Sequence, residues 1–156
     1  MAPGMLTGMI FTRLSPQSAY DFYQLAEEYR QAAQAVFEKL GATSWPGYAL
    51  AGQAIELHLK AFLRTRGFNT SDLKKLGHDL TRALRKAEEN GLANHCKIDC
   101  RDREYLAIFS SVYKGKDFNY RSQGTWELPF PSWVLEFTSR LSRAIEPAAV
   151  SDLQNR

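Results

Sequence analysis

The chain has 156 residues, of which 44% are hydrophobic and 24% charged, and its formal net charge is +3 at pH 7. This length and this composition are typical of one globular domain with a hydrophobic core, and they argue against an intrinsically disordered chain. No apolar run approaches the roughly 20 residues that a membrane-spanning helix needs, and two cysteines do not make a disulfide framework, so we expect a cytoplasmic protein without a membrane partner.

The first half of the chain predicts two long helices. Residues 1–14 carry an apolar patch without a basic region before it, which argues against a signal peptide, and we assign them as an N-terminal extension. Ser15 and Pro16 are typical of a helix start. Apolar residues then recur at intervals of three and four as far as Gly41, which favours a helix end. A second helix is predicted over residues 48–66, and because it is apolar over most of its girth we place it at the centre of the fold.

The middle of the chain predicts a loop and two further helices. Residues 68–76 contain an Asn-Thr-Ser-Asp turn signal and are predicted to form a polar loop. A third helix follows over residues 78–90, where an Asn-Gly pair ends it. The apolar residues of the segment 101–114 recur with helical spacing and predict a fourth helix.

The last part of the chain predicts one more helix. Residues 115–128 have no helical period and are predicted to form an ordered loop. A fifth helix covers residues 129–145 and is expected to end before Pro147, which leaves residues 147–156 as a frayed tail. With no convincing strand, the pattern predicts an all-α, up-and-down bundle of four to five helices, in one domain over residues 15–146.

Two short motifs in the centre of the chain carry a family resemblance. The motif AIELHLKA at residues 54–61, followed by GHDL at residues 77–80, resembles the signature of the HEPN families, which are small helical bundles of prokaryotes. The helix before them and the later FNYR at residues 118–121 are similar to the same families in placement and character. The resemblance implies a HEPN-like bundle that often forms homodimers. It also implies an occurrence beside nucleotidyltransferases and in toxin–antitoxin, phage-defence and RNA-processing contexts.

The ribonuclease motif of these families is absent from the chain. Many active members are metal-independent ribonucleases that carry an arginine, a spacer of four to six residues and then a histidine. None of His58, His78 and His95 has an arginine at the corresponding position before it. Arg121, the natural candidate, is followed by the sequence WEL at residues 126–128 where a histidine is expected. The resemblance therefore favours a non-catalytic binding or accessory module that engages nucleotide or RNA phosphate, or that pairs with a nucleotidyltransferase or antitoxin protein.

Four residues near the two central motifs are candidates for a site. Glu56 and Lys60 lie four residues apart on one helical face, in the order that favours an ion pair, and they form either a structural salt bridge or a polar cleft. His78 and Asp79 open the third helix, where either is suited to cap it. Alternatively, His78 faces Glu56, which gives an oriented imidazole for proton transfer or anion binding. A helix N-terminus close to Lys60 also favours an anion.

A second group of candidates lies later in the chain, beside a local excess of basic residues. Arg121 is suited to grip phosphate in bidentate fashion, and Tyr113 and Tyr120 are suited to stack on bases; alternatively, the group only pins a loop. Residues 60–86 hold eight Lys or Arg against two Asp, which is either a solvated edge or a phosphate-binding surface. The candidate ligand- and phosphate-binding residues are thus Glu56, Lys60, His78, Asp79, Tyr120 and Arg121.

No metal and no cofactor are predicted. The spacing of His95, Cys96 and Cys100 is not a usual zinc-ligand spacing, and no fourth ligand is evident. Nothing near the cysteines marks a base for nucleophilic catalysis. A group of late aromatic residues is more typical of a core or of a dimer surface than of a ligand box: Trp126, Phe130, Trp133 and Phe137.

Two alternatives to the binding module remain open. One is a metal-independent endoribonuclease of toxin or phage-defence type, with His78 as acid or base and Arg121 stabilising the phosphorane. The other is a structural oligomerisation domain. If the protein is an enzyme, we expect His78 within hydrogen-bond reach of a carboxylate in an open cleft. If it is a binding module, we expect a contiguous basic face. The structural domain predicts that Glu56 and Lys60 are buried and satisfy each other.

Overall fold

The computed structural model describes residues 8–10, 12, 16–115, 117–118 and 124–155. Within these ranges the secondary structure is helical throughout, so the prediction of an all-α bundle is confirmed. None of the helices in the described part is long and apolar enough to cross a membrane. The elements are α1 (Ala19–Leu40), α2 (Trp45–Thr65), α3 (Thr70–Leu76), α4 (Leu80–Glu89), a 3₁₀ turn at Leu92–Asn94, α5 (Cys100–Tyr113) and α6 (Pro131–Gln154).

Helix α1 begins at a capping box. The Ser18 hydroxyl accepts a hydrogen bond from the Asp21 N–H at 2.9 Å, and the Asp21 carboxylate accepts one from the Ser18 N–H at 2.9 Å. The cap is therefore Ser18 and not the predicted Ser15, which lies outside the described residues. At the other end Gly41 stops the helix with a φ of 92°, a conformation that glycine adopts without steric cost.

Helix α2 lies at the centre of the bundle and packs against α1, α4, α5 and α6. It starts three residues earlier than predicted, because the Ser44 hydroxyl accepts a hydrogen bond from the Gly47 N–H at 3.1 Å and Pro46 occupies the first turn. Most of its side chains are buried, including the polar Glu56 and His58. Because this helix is apolar on most of its faces, its few polar side chains are buried in the interior, where each needs a partner.

The loop predicted over residues 68–76 is wrong, because this segment contains α3. Asn69 and Asp72 form a capping box in which each side chain accepts a hydrogen bond from the other's N–H, at 2.9 and 3.1 Å. The turn signal of the sequence is therefore the N-cap of a helix. Leu73 and Leu76 are buried under it and hold this short helix against the core. The described residues therefore form six α-helices, where four to five helices were predicted.

Helix α6 runs through Pro147 to Gln154, so the predicted helix end and frayed tail are wrong. A proline inside a helix removes one hydrogen bond and costs about 3 kcal/mol. Here Pro147 lies on the exposed face, where water can bond the freed carbonyl. Ile145 and Ala149 on either side of it are completely buried. Their burial, together with that of the residues before them, holds the helix against α1 and α2.

Candidate functional site

A buried carboxylate, Glu56, joins three parts of the fold. It is 4% exposed, and its Oε1 accepts a hydrogen bond from Lys60 Nζ at 2.5 Å. Its Oε2 accepts one from the Tyr113 hydroxyl at 2.6 Å and lies 2.9 Å from Nδ1 of His78. Lys60 also donates to the Gly77 carbonyl at 3.2 Å. Helix α2, the end of α5 and the α3–α4 junction therefore meet at one carboxylate, which we call the Glu56 cluster.

A glycine in α2 makes room for the tyrosine of this cluster. Gly52 lies one helical turn before Glu56, and a Cβ placed on it would collide with Cδ2 and Cε2 of the Tyr113 ring. No side chain larger than hydrogen fits there unless the ring moves. Phe109 stacks against the ring at 6.1 Å between centroids and fixes its plane. The Tyr113 ring therefore packs directly against α2 at Gly52, and its hydroxyl reaches the Glu56 carboxylate.

The electrostatics of the cluster fix where its protons lie. Burial favours a neutral Glu56, but attraction to Lys60 and the hydrogen bonds from Lys60, Tyr113 and His78 outweigh it and hold its pKa below the ordinary value. Burial, and then the Glu56 charge, raise the pKa of Tyr113 far above its usual range, so the phenol stays protonated. Because an ionised carboxylate only accepts hydrogen bonds, Nδ1 of His78 carries a proton, and the Nε2 of a neutral ring presents a lone pair.

The imidazole of His78 borders an open pocket. Its side chain is 46% exposed, and its ring meets that of Tyr113 edge-on at 6.1 Å. The pocket has a volume of about 230 Å³ and is lined by Tyr29, Ala49, Leu50, Gln53, His78, Tyr113 and Phe118. We call it the His78 pocket. Oriented imidazole and pocket together are what general acid–base chemistry or ligand binding requires.

The remaining predicted site residues are not all part of the cluster. Asp79 caps α4, since its Oδ1 accepts a hydrogen bond from the Arg82 N–H at 3.1 Å, and its Oδ2 lies 3.7 Å from Nζ of Lys114. Of the two capping alternatives weighed for His78 and Asp79, the cap is therefore Asp79. Tyr120 and Arg121 lie outside the described residues.

A second carboxylate–histidine pair, which the sequence did not predict, lies on the other side of α2. His58 is completely buried, and its Nε2 lies 3.0 Å from Oε1 of Glu27 in α1. Burial opposes ionisation of Glu27, but hydrogen bonds from His58 and Arg30 hold its pKa well below the ordinary value of 4.5. We call this group the Glu27 cluster. Its signal in the sequence was a histidine within the apolar girth of α2, two positions from Glu56 and hence on the opposite face.

The basic residues around α3 and α4 form an exposed surface. A pocket of about 330 Å³ on this surface, the α4 pocket, is lined by Leu76, Arg82, Arg85, Lys86 and Glu89. Lys86 pairs with Glu89 at 3.3 Å, whereas Arg85 is exposed and pairs with no carboxylate among the described residues. Arg82 donates to the Lys75 carbonyl at 3.2 Å, which connects the pocket to α3. Lys60, at the start of the basic segment, is instead 12% exposed and held by Glu56.

The histidine and cysteines near the 3₁₀ turn are dispersed. His95 Nε2 lies 3.2 Å from a guanidinium nitrogen of Arg66, Cys96 is buried and Cys100 is exposed. Throughout the part of the chain that the structure describes, no group of three or more His, Cys, Asp or Glu side chains is placed to hold a metal ion.

The chain was compared with protein-family models, with curated proteins and with solved structures, and none of the three comparisons found a match.

Proposed function

We propose that this chain is a non-catalytic binding module that engages the phosphate groups of RNA at the α4 pocket. The observation that carries the proposal is the set of three cationic side chains, Arg82, Arg85 and Lys86, around one concave surface with a single carboxylate. The resemblance of residues 54–61 and 77–80 to the HEPN families supports an accessory role of this kind.

The composition of the α4 pocket suits a phosphate oxyanion. Two guanidinium groups offer planar, paired N–H donors that match phosphate oxygens in bidentate fashion. Because Arg85 has no carboxylate partner among the described residues, it loses no ion pair when it binds an anion. Lys74 and Lys75 on α3 are exposed, and they extend the positive charge to neighbouring phosphates of a chain.

The Glu56 cluster is less suited to this role. Lys60 already donates to Glu56 and to the Gly77 carbonyl, so its charge is matched within the protein. A phosphate there would have to compete with a buried carboxylate. Phosphate binding by Glu56, Lys60, His78, Asp79, Tyr120 and Arg121 stays a prediction, and the α4 pocket is the site we favour.

The proposal is tested by the anisotropy of a fluorescent single-stranded RNA. We expect the double variant Arg82→Gln/Arg85→Gln to bind at least about tenfold more weakly than the wild type. The magnitude of the slope of log K against log salt concentration should also fall by about 0.7 for each phosphate of the single strand that the variant no longer neutralises. The control is Arg143→Gln, which changes an exposed arginine on α6 that does not line the pocket and should bind normally. Equally weakened binding in both variants, or no binding by the wild type, would overturn the proposal.

Competition with ATP separates a preference for free nucleotide from one for RNA.

The second candidate is a metal-independent endoribonuclease that uses His78 and Arg121. The observation that favours it is the hydrogen bond of His78 to a buried carboxylate beside an open pocket. RNA cleavage without metal, abolished in both His78→Ala and Arg121→Ala, would support the enzyme. Absence of cleavage by a folded wild type would leave the binding module.

Self-association is a further part of the proposal. Phe130 is 77% exposed and Trp126 is 37% exposed, and a homodimer, or a nucleotidyltransferase or antitoxin partner, would remove these apolar surfaces from water. Sedimentation equilibrium of the wild type and of Phe130→Ser tests it. A dimer that the substitution weakens supports this assignment, and a wild type that stays monomeric at all concentrations contradicts the homodimer. A chain that does not self-associate would also exclude the structural oligomerisation domain.

A further inference from the structure

We propose that the His78 pocket binds a small, uncharged aromatic compound that carries an N–H or O–H donor on the edge of its ring. The site is separate from the α4 pocket, with which it shares no lining residue. The inference therefore goes beyond the RNA-binding function and does not depend on it.

The size and the walls of the pocket select a single small ring system. A volume of about 230 Å³ is below the roughly 300–1,000 Å³ of sites for drug-sized ligands. It exceeds the roughly 150 Å³ of an engineered cavity that binds benzene. Tyr113 and Phe118 contribute aromatic walls, and Ala49 and Leu50 contribute aliphatic ones. Aromatic rings stack or meet edge-on with such walls at a gain of about 0.5–1.5 kcal/mol per pair beyond the area that they bury.

Three polar groups of the pocket are available to such a ligand. The Tyr29 hydroxyl and the Gln53 amide form no hydrogen bond to any residue in the described part of the chain, and the same is true of His78 Nε2. Because Nδ1 of His78 donates to Glu56, the Nε2 of an uncharged ring is an acceptor. A few unpaired polar groups among the apolar residues that line a pocket are typical of a specific ligand site.

The charges behind the pocket favour an uncharged ligand. The Glu56 carboxylate is matched by Lys60 at 2.5 Å, and Tyr113 is a neutral phenol that already donates to Glu56. A charged ligand would lose its hydration without gaining an unmatched partner, which is costly. The specific contact is therefore the hydrogen bond from the ligand to His78 Nε2.

The proposal is tested with indole and its two methylated isomers, using titrations of the wild type at pH 8 followed by NMR of backbone amides. Indole and 3-methylindole keep the N–H, whereas 1-methylindole has the same size as 3-methylindole and lacks it. We expect the two N–H compounds to shift the amides of Ala49 and Gln53, and to bind at least about fivefold more tightly than 1-methylindole, as one hydrogen bond predicts.

Two variants locate the hydrogen bond. His78→Phe keeps a ring and removes the acceptor, so it should bind 3-methylindole and 1-methylindole equally. Ala49→Leu narrows the pocket and should weaken binding of all three compounds while leaving His78 in place. Equal affinities of the wild type for the methylated isomers, absence of binding at millimolar concentration, or shifts confined to residues outside the pocket would each overturn the proposal. The wild-type comparison needs no variant, so a failure of His78→Phe to fold leaves the test intact.

Discussion

The Glu56 and Glu27 clusters use the same two residue types on opposite sides of α2, but they bury opposite partners. In the Glu56 cluster the carboxylate is 4% exposed and the His78 side chain is 46% exposed. In the Glu27 cluster His58 is completely buried and the carboxylate side chain is 19% exposed. The imidazole that faces a pocket is thus the one whose carboxylate is sealed behind it.

The two histidines also bond their carboxylates through different nitrogens. His78 donates from Nδ1, and its Nε2 belongs to a half-exposed ring that lines the His78 pocket. His58 donates from Nε2 to Glu27, and its Nδ1 is buried without a partner among the described residues. A buried acceptor left unpaired costs about 1–3 kcal/mol, and it has no access to a ligand. A carboxylate–histidine pair is therefore a candidate site only where the second nitrogen of the ring is accessible to a ligand.

Among these predictions, the loss of stability is greatest when a substitution disrupts the Glu56 cluster. Glu56→Gln keeps the shape of the side chain but leaves the charge of Lys60 without a counterion, and we expect it to lower the free energy of unfolding by about 3–5 kcal/mol. The control is Glu136→Gln on α6, where the carboxylate that pairs with Arg140 is 52% exposed, and its removal should cost no more than about 1 kcal/mol. Urea denaturation measures both, and equal destabilisation would show that Glu56 is not a buried, matched charge.

The next effect compares the two histidines directly. His58→Ala opens a cavity in the core and removes a donor from Glu27, so we expect destabilisation by about 2–4 kcal/mol. His78→Ala removes a half-exposed ring, and Tyr113 still satisfies the same Glu56 oxygen, so we expect destabilisation below about 1 kcal/mol. The measurement is thermal unfolding followed by circular dichroism. A larger effect in His78→Ala than in His58→Ala would reverse the assignment of the two clusters.

A smaller loss of stability is expected from a substitution at Gly52, where the Tyr113 ring packs against α2. In Gly52→Ala the new Cβ collides with the ring, and we expect overpacking to cost about 1–3 kcal/mol. In a Tyr113→Ala background the same substitution meets no ring, and the helix propensity of alanine should make it stabilising by up to about 1 kcal/mol. Denaturation of the four proteins of this double-mutant cycle gives the coupling, and additive effects would contradict the close approach.

The smallest effect is the pH dependence of the Glu27 cluster. Because the folded-state pKa of Glu27 is held below its ordinary value of 4.5, its contribution to stability is present above that value and is lost as the pH falls below it. We expect Glu27→Gln to be less stable than the wild type at pH 7 and to lose less stability between pH 5 and pH 2. The control is Glu38→Gln, which changes an exposed glutamate on the same helix. It should lose as much stability between pH 5 and pH 2 as the wild type. If Glu27→Gln lost as much unfolding free energy between pH 5 and pH 2 as the wild type, the Glu27 carboxylate would not be preferentially ionised in the folded state.

The parts of the fold that the sequence predicted are those that depend on local patterns. Helical periodicity predicted the five longer helices, and the spacing of Glu56 and Lys60 predicted that they can pair. Local rules failed where burial decides the outcome. The pattern at Asn69 is compatible with a turn and with a helix N-cap, and the burial of Leu73 and Leu76 favours the helix. The buried neighbours of Pro147 likewise hold α6 in place through a residue that ordinarily ends a helix.

The partners within the two clusters were beyond local patterns. Tyr113 and Glu56 are 57 positions apart, and His58 and Glu27 are 31 positions apart, so only the packing of α5 and α1 against α2 brings them together. One sign was present in the sequence: a glycine in the interior of α2, Gly52, indicates a close approach by another group. It does not say which ring approaches.

The most direct test of the two clusters is the long-range ¹H–¹⁵N NMR spectrum of the imidazole rings at pH 8, recorded with and without indole. It reports which nitrogen of each ring carries the proton. We predict an Nδ1–H ring for His78, whose Nε2 resonance shifts with indole, and an Nε2–H ring for His58 that does not respond. An Nε2–H form of His78, or a response to indole at His58 alone, would contradict the assignment of His78 as the open histidine of the two clusters.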